Sequence, residues 1–315
     1  MIKSKKYISI IKITVTLGLL FIIVERLDLN KFYEISKGID VNYLVIPVLL
    51  WIVSVYLSAY KWNTILANYN VKITNTQAFM LYLKGSFFNN FLPSSFGGDG
   101  YKFYALHQKQ KGNKSRIIFS LIQERGIGLF ASMVTALIFG GLFLDKIMSD
   151  NLLTIIYIGI FFCMTVFMLF LVVLSRKRKI SLRSNNKIVK KLEVLANVFL
   201  SLYGKRKVLI KSILVSLILT FVNSYSLYYL FVALNYNLPI QVLLFVVPFV
   251  QLSDIVPITL NSVGLREGWA MYVFQMFGVV PELVLSVYVV SRILSFFCTS
   301  TGGFIYLFQK SKSEI

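Results

Sequence analysis

The chain has 315 residues, of which 57% are hydrophobic and only 15% are charged. Soluble domains carry about 25% charged residues, so this composition excludes a soluble enzyme, a disordered chain and a secreted disulfide scaffold. The formal net charge of +20 comes from 33 Lys and Arg against 13 Asp and Glu. Beside so many apolar runs, that charge indicates basic loops facing anionic lipid and argues against a nucleic-acid partner.

Six apolar runs are long enough to cross a bilayer, which takes about 20 helical residues. Backbone groups in hydrocarbon must be paired within their own segment, so these runs are predicted to be helices. The first run follows a basic N-terminus and ends without a small-residue cleavage site, and we interpret it as an uncleaved span. The predicted spans are residues 7–24, 43–60, 117–144, 152–174, 208–234 and 283–308.

Two further apolar stretches are interrupted by proline, glycine and polar residues. Residues 76–100 contain FLPSSFGGDG, and residues 240–280 contain VPITLNSVGLREG. Proline blocks a continuous helix and glycine permits unwound backbone, which at membrane depth is tolerated only against protein or a water-filled cavity. The sequence therefore predicts either two re-entrant segments or two interfacial loops. One interrupted segment in each half of a chain is typical of a transporter built from an inverted pseudo-repeat, with its substrate site at these segments.

The predicted fold is an all-α polytopic membrane protein with a single domain over residues 1–315 and six to eight transmembrane helices. Beyond residue 235, either one crossing plus a re-entrant segment or three crossings would fit. The loop 175–207 holds eleven Lys or Arg and one acid. By the positive-inside rule it is cytoplasmic, and so are both termini. We expect a multi-pass protein of a bacterial-type plasma (inner) membrane.

Ionisable residues at membrane depth cost about 2.5–3.5 kcal/mol each at a helix centre, and here they are concentrated. They occur in the two interrupted segments, near the start of the third span and in the last span. They either join helices through ion pairs or hold a phosphate, whose oxygens match the guanidinium fork of arginine. The candidate pairs are Arg292 with Glu124, Asp254 or Glu267, and both Arg125 and Arg266 with Asp99.

Three motifs occur in order along the chain: FLPSSFGGDGYKFYAL, IQERGIGL and PITLNSVGLREG. Together they resemble the membrane domain of lysylphosphatidylglycerol synthases, a flippase-like family, over nearly the whole chain. The resemblance implies a domain that moves aminoacylated phosphatidylglycerol between leaflets and contributes to resistance against cationic antimicrobial peptides. With Asp254 and Arg292 added from the charge argument, the candidate lipid headgroup and translocation site is Asn90, Pro93, Ser94, Gly97, Gly98, Asp99, Tyr101, Lys102, Glu124, Arg125, Asp254, Pro257, Asn261, Gly264, Arg266, Glu267 and Arg292.

Full-length synthases of that family continue into a soluble domain that transfers lysine from tRNA to the lipid, and we expect this chain to lack it. We therefore predict a translocase for an anionic phospholipid, driven by a gradient or running downhill. The alternative is a membrane component, non-catalytic by itself, that partners a separately encoded lipid-modifying transferase. No P-loop or metal-ligand pattern occurs, so no cofactor or metal is expected; a homo-oligomer stays open.

Overall fold

The computed structural model describes residues 14–23, 25, 27–91, 97–110, 113–175, 190, 193–194, 197–198, 205–255 and 258–310. This part of the chain is an all-α membrane protein and contains no strand, which confirms the predicted fold class. Three of the candidate site residues, Pro93, Ser94 and Pro257, lie outside the described residues, as does most of the loop 175–207.

Twelve α-helices, with short 3-10 helices at some of their ends, make up the described part of the chain. Four segments are long and apolar enough to cross a membrane, Val41–Asn68, Lys114–Met148, Arg206–Ala233 and Pro281–Phe308, and they coincide with predicted spans. The first and fourth predicted spans fall on the shorter apolar helices Thr14–Ile23 and Asn151–Val166, the latter being part of α8. The helices are α1 Thr14–Ile23, α2 Leu29–Lys37, α3 Val45–Asn68, α4 Asn75–Phe91, α5 Gly97–Lys109, α6 Lys114–Gly140, α7 Leu144–Met148, α8 Asn151–Ser175, α9 Arg206–Ala233, α10 Ile240–Gln251, α11 Leu265–Gln275 and α12 Pro281–Lys310.

Eight of these helices form two units of the same order. The first unit is α3, the pair α4–α5 and α6, and the second is α9, the pair α10–α11 and α12. The leading helices α3 and α9 are antiparallel: the backbone N–H of Asp40 donates to the carbonyl of Ala233 at 2.8 Å, and Lys205 Nζ donates to the carbonyl of Asn68 at 3.4 Å. In addition, α4 packs on α12 and α10 packs on α6. The hairpin of each unit therefore packs on the last helix of the other unit, as expected for an inverted repeat.

The pair α4–α5 is a helical hairpin that begins and ends at one end of the molecule. Gln110, just after α5, donates from Nε2 to the carbonyl of Lys72, just before α4, at 3.0 Å. We call this the Lys205 end, because α3 ends and α9 begins there. Near the tip of the hairpin the helices approach so closely that a Cβ on Gly98 would overlap the carbonyl of Gly85.

The pair α10–α11 is a second hairpin at the opposite end, which we call the Asp40 end. Lys146, which follows α6, donates from Nζ to the carbonyl of Met276 at 3.2 Å, and this bond places the end of α11 there. At 1.5 Å per residue the 12 residues of α10 and the 11 of α11 span about 18 and 17 Å, short of a hydrocarbon core of about 30 Å. Between them Asn261 and Ser262 have positive φ values of 49° and 59°, which mark the break in the helix.

Apolar side chains both fill the interior and cover the outer surface. The largest buried cluster lies among α6, α9, α10, α11 and α12, with Phe231, Phe245 and Phe274 fully buried. On the outside, α8 exposes Ile155 and Phe161, and the other long helices expose similar residues. A surface of this kind is solvated by lipid rather than by water.

Candidate functional site

Five charged side chains from α3, α5 and α6 form the first charge cluster: Lys61, Asp99, Lys102, Glu124 and Arg125. Lys102 Nζ lies 2.9 Å from Asp99 Oδ1 and 3.5 Å from Glu124 Oε2. Lys61 Nζ lies 3.5 Å from Glu124 Oε1, and Arg125 Nε donates to Asp99 Oδ2. Lys61 and Lys102 are each 5% exposed and Glu124 is 8% exposed. The signs therefore alternate through the cluster, with one more positive than negative charge.

Aromatic rings support the ammonium group at the centre of this cluster. Lys102 Nζ lies 3.9 Å from the ring centroid of Tyr82 and 5.2 Å from that of Trp62. Trp62 is itself held by a 3.1 Å hydrogen bond from Nε1 to Ser120 Oγ. A cation over an aromatic face is stabilised by about 2 kcal/mol or more when it is desolvated. The ring contacts and the two carboxylates together offset the loss of hydration that burial of Lys102 causes.

The second charge cluster is formed by Asp254, Arg266, Glu267 and Arg292, from the second hairpin and α12. Arg266 holds Asp254 with two donors, with a distance of 3.0 Å from Nε to Oδ1. Glu267 Oε1 accepts from Arg292 Nε, while its Oε2 accepts from the backbone N–H of Gly264 at 2.8 Å. Gly264 has a φ of 80°, which favours glycine at the start of α11. Glu267 thus caps α11 and ties it to α12.

A polar cavity of about 380 Å³ lies between α3, α6, α9 and the end of α10. Its charged lining residues are Lys61, Glu124 and Arg125 of the first cluster and Asp254 of the second. A smaller cavity of about 180 Å³ reaches Arg266, Glu267 and Arg292, and it shares Asn223 and Gln251 with the larger one. The two charge clusters therefore border two adjoining cavities, which we together call the central cavity. Its hydroxyl lining is Ser54, Ser58, Ser132, Ser216 and Thr220.

The tips of the two hairpins meet at residues that line neither of these two cavities. Asn261 Nδ2 lies 3.5 Å from Asn90 Oδ1, so the two interrupted segments are in contact although 171 residues separate them. Asn90 also donates from Nδ2 to Thr299 Oγ1 of α12 at 2.7 Å. Gly98, buried at the start of α5, donates its backbone N–H to Asn89 Oδ1 at 2.7 Å and so bridges the first interruption.

Several of the remaining candidate residues from the sequence lie away from the cavity lining. Asp99 and Lys102 lie behind the cavity wall, in contact with Arg125 and Glu124. Gly97 is buried next to them at the start of α5. Tyr101 is not in the charge cluster; its ring stacks on Phe88 at a centroid distance of 4.7 Å. Its role in the fold is therefore to pack α5 against α4.

Two of the candidate ion pairs are present and one is wrong. Arg125 pairs with Asp99, and Arg292 pairs with Glu267. Arg266 pairs with Asp254 and not with Asp99, because both partners lie in the second hairpin, only 12 residues apart. The side chain of Arg266 is thereby held within its own unit.

Several residues at or near the central cavity were not among the candidates from the sequence. Lys61 directly follows the predicted span 43–60, but α3 continues to Asn68 and carries Lys61 into the interior. On α9, Ser216 and Thr220 line the cavity, and the buried Ser212 and Ser224 continue the same row of hydroxyl side chains. Their spacing of four residues places them on one helix face, which is the sequence signal that could have found them. This face adjoins α3, where Ser54 Oγ donates to Asn223 Oδ1 at 3.2 Å.

The chemistry available at the site is binding by charge and by hydrogen bonds. Within the described residues, no three His, Cys, Asp or Glu side chains come close enough together to hold a metal ion. Both cysteines, Cys163 and Cys298, are free. With cations and carboxylates on one cavity wall, the site suits a ligand that carries a phosphate, an amino group or both.

Comparison with known proteins places the chain among membrane proteins. The family model described as "Lysylphosphatidylglycerol synthase TM region" matches residues 9–303. The chain is 25% identical to a UPF0104 membrane protein of Pyrococcus horikoshii, with 96% of this chain and 97% of the relative covered. Identity is 23% to a UPF0104 membrane protein of Methanocaldococcus jannaschii, with 97% and 96% covered, and 21% to one of Methanothermobacter thermautotrophicus, with 99% and 98% covered. Because the family model spans nearly the whole chain, this protein belongs to the lysylphosphatidylglycerol synthase TM region family.

Proposed function

We propose that the protein is a lipid translocase that moves an anionic or aminoacylated phospholipid, such as lysyl-phosphatidylglycerol, between leaflets. The observation that carries this proposal is the central cavity, whose charged lining comes from helices of both inverted units in an otherwise apolar bundle. In this scheme the headgroup passes through the cavity while the acyl chains remain in the bilayer. Substrate sites at the interface of two inverted repeats are common in transporters.

The buried charges of the first cluster are costly inside a membrane protein. Lys61, Lys102 and Glu124 are almost fully buried, and each would cost about 2.5–3.5 kcal/mol at the centre of a membrane helix. Well-packed apolar residues often replace buried ion pairs without loss of stability, so the fold alone does not require these charges. We therefore assign Lys61 and Glu124, which line the cavity, to ligand binding, and Lys102 to holding Glu124 in place from behind the wall.

The cavity offers groups for both parts of an aminoacylated headgroup. Lys61 and Arg125 on its wall suit the phosphate, for which a guanidinium provides parallel N–H donors. If a phosphate draws Arg125 away, Asp99 keeps Lys102 as its partner at 2.9 Å. Glu124 and Asp254 on the same wall suit the ammonium groups of a lysyl headgroup. Phosphatidylglycerol itself would use only the cationic side.

Movement would come from the two hairpins. They start from opposite ends of the bundle and meet at the contact between Asn90 and Asn261, so rocking one unit against the other would open the cavity to each side in turn. We infer six crossings, by α1, α3, α6, α8, α9 and α12, with both hairpins re-entrant. The Lys205 end and both termini would face the cytoplasm of a plasma membrane, because the basic loop 175–207 precedes α9.

The test is leaflet exchange of fluorescent phosphatidylglycerol and lysyl-phosphatidylglycerol in proteoliposomes, read by chemical bleaching of the outer leaflet. Arg125→Gln should slow exchange about tenfold or more, since a hydrogen bond to a charged group contributes about 1.5–3 kcal/mol. The matched control is Lys31→Gln, which also removes one charge but at an ion pair outside the cavity, 3.6 Å from Glu282. Exchange at the wild-type rate in a folded Asp99→Asn, Arg266→Ala variant would contradict the proposal.

The second candidate function is a membrane component of a phosphatidylglycerol lysyltransferase or another lipid-modifying transferase system, non-catalytic by itself. The description of the family, which names a synthase, favours it. Its sign would be co-purification with a separately encoded enzyme together with no lipid exchange by the purified chain. Under either function, expression of the protein should reduce binding of a cationic antimicrobial peptide to cells, if lysyl-phosphatidylglycerol reaches the outer leaflet.

A further inference from the structure

A second large cavity, of about 390 Å³, lies between α4 and α5 at the Lys205 end. Its volume falls in the range of small-molecule sites. The cavity shares no lining residue with the central cavity. Leu81 and Leu106 form part of its wall and belong to an apolar cluster around Trp62, so hydrophobic packing separates it from the first charge cluster.

The charge of this second cavity has one sign. Three lysines line it, Lys72, Lys84 and Lys109, and no acidic side chain is among the described residues of its wall. Lys72 and Lys109 are exposed at the mouth, whereas Lys84 is only 6% exposed and lies about 14 Å along α4 from the start of that helix. Lys84 and Lys109 both line this cavity, so an anion bound there would lie close to two positive charges.

Other lining groups add to the preference for an anion with an apolar portion. Thr76 and Gln77 belong to the first turn of α4, where the helix dipole is positive. Ile73 and Met80 supply apolar surface on the same wall. Basic pockets between membrane helices at the cytoplasmic side are sites for acidic lipid headgroups.

We propose that the cavity between α4 and α5 binds a phosphate group, carried by a lipid headgroup or free, at a site separate from the central cavity. This site does not depend on lipid exchange, because it lies outside the translocation path described above. A phosphate bound there contacts the first hairpin alone, at the Lys72 and Lys109 mouth and at Lys84 deeper inside.

The test uses a local fluorescent reporter on the purified full chain. Thr76→Cys, exposed at the mouth, is labelled after Cys163 and Cys298 have been replaced by Ser and Ala. Dioctanoyl-phosphatidylglycerol should give a saturable signal that dioctanoyl-phosphatidylcholine does not. In the Lys84→Gln, Lys109→Gln variant the Kd should rise about 25-fold, from roughly fivefold for each lysine.

Two matched variants make the result specific. Lys114→Gln, Lys207→Gln removes two exposed lysines at the same end and should change the Kd less than about twofold. Lys84→Arg, Lys109→Arg keeps the charge and should restore binding if the fold is intact. A parallel titration with inorganic phosphate separates the sources: a lysine-dependent signal identifies free phosphate as a ligand, and a signal with the lipid alone identifies the headgroup. Equal signals with both lipids, or equal losses in the two glutamine pairs, would overturn the proposal.

Discussion

Replacing Glu124 by Gln should strongly destabilise the protein, because Glu124 neutralises two buried lysines. Its carboxylate lies 3.5 Å from both Lys61 Nζ and Lys102 Nζ. At that distance, each pair attracts by about 5 kcal/mol for an effective dielectric constant of about 20. Glutamine has nearly the same shape but no charge, and removing one partner of a buried pair costs about 3–5 kcal/mol. We expect a loss of that size in the free energy of unfolding.

The assay is unfolding of the purified chain in mixed micelles with increasing denaturing detergent, for a double-mutant cycle. Lys61→Met in the Glu124→Gln background should cost less than in the wild type, with a coupling of about 1–3 kcal/mol. As a control, Lys31→Met breaks the pair between Glu282 and the half-exposed Lys31, and it should cost less than Lys61→Met because the lysine is partly solvated. Strict additivity of Lys61→Met and Glu124→Gln would refute the assignment of these two side chains to one ion pair.

Two further predictions concern packing and pH. Gly302→Ala should lower the free energy of unfolding by about 1–3 kcal/mol, because its Cβ would overlap the carbonyl of Leu83. The control Gly141→Ala has open space around its Cβ and should be neutral. Thermal unfolding of both variants measures the difference. The hydrogen bond from the Tyr272 hydroxyl, 2.6 Å from Asp150 Oδ2, lowers the pKa of the Asp150 carboxyl. The stabilisation from this hydrogen bond should be complete above the unfolded aspartate pKa of about 3.9 and should be lost as the pH falls through the lower pKa of the folded state. Asp150→Asn should remove that part of the acid sensitivity, which a pH series of unfolding curves measures.

The spans and the interruptions could be predicted because they depend on local composition. Long apolar runs have to be helices in lipid. Clusters of Pro and Gly favour a break in the helix, although a single proline such as Pro248 is accommodated within α10. The end of α3 was harder to predict: the lysine after residue 60 has the same appearance in the sequence whether it reaches headgroups or a buried carboxylate. Only the packing of α3 on α6 places Lys61 beside Glu124.

The ion pairs depended on helix rotation and on which hairpin faces which, and neither is encoded locally. Arg266 was a candidate for Asp99, yet Asp254 in its own hairpin holds it. The inverted arrangement was only weakly visible, because the two interrupted segments differ in the spacing to their acidic residue. It becomes clear from the packing of α4 on α12 and of α10 on α6.

The central claim is that the two hairpins meet at the contact between Asn90 and Asn261 and must separate for a headgroup to pass through the charged cavity. The most direct test carries Asn90→Cys and Asn261→Cys in a chain whose native cysteines have been replaced. A short bifunctional reagent that forms reducible disulfides joins the two cysteines, and leaflet exchange of fluorescent lysyl-phosphatidylglycerol is then measured. We predict that exchange stops when the link forms and returns when it is reduced. Exchange that continues at the unlinked rate with the cysteines fully joined would contradict the account.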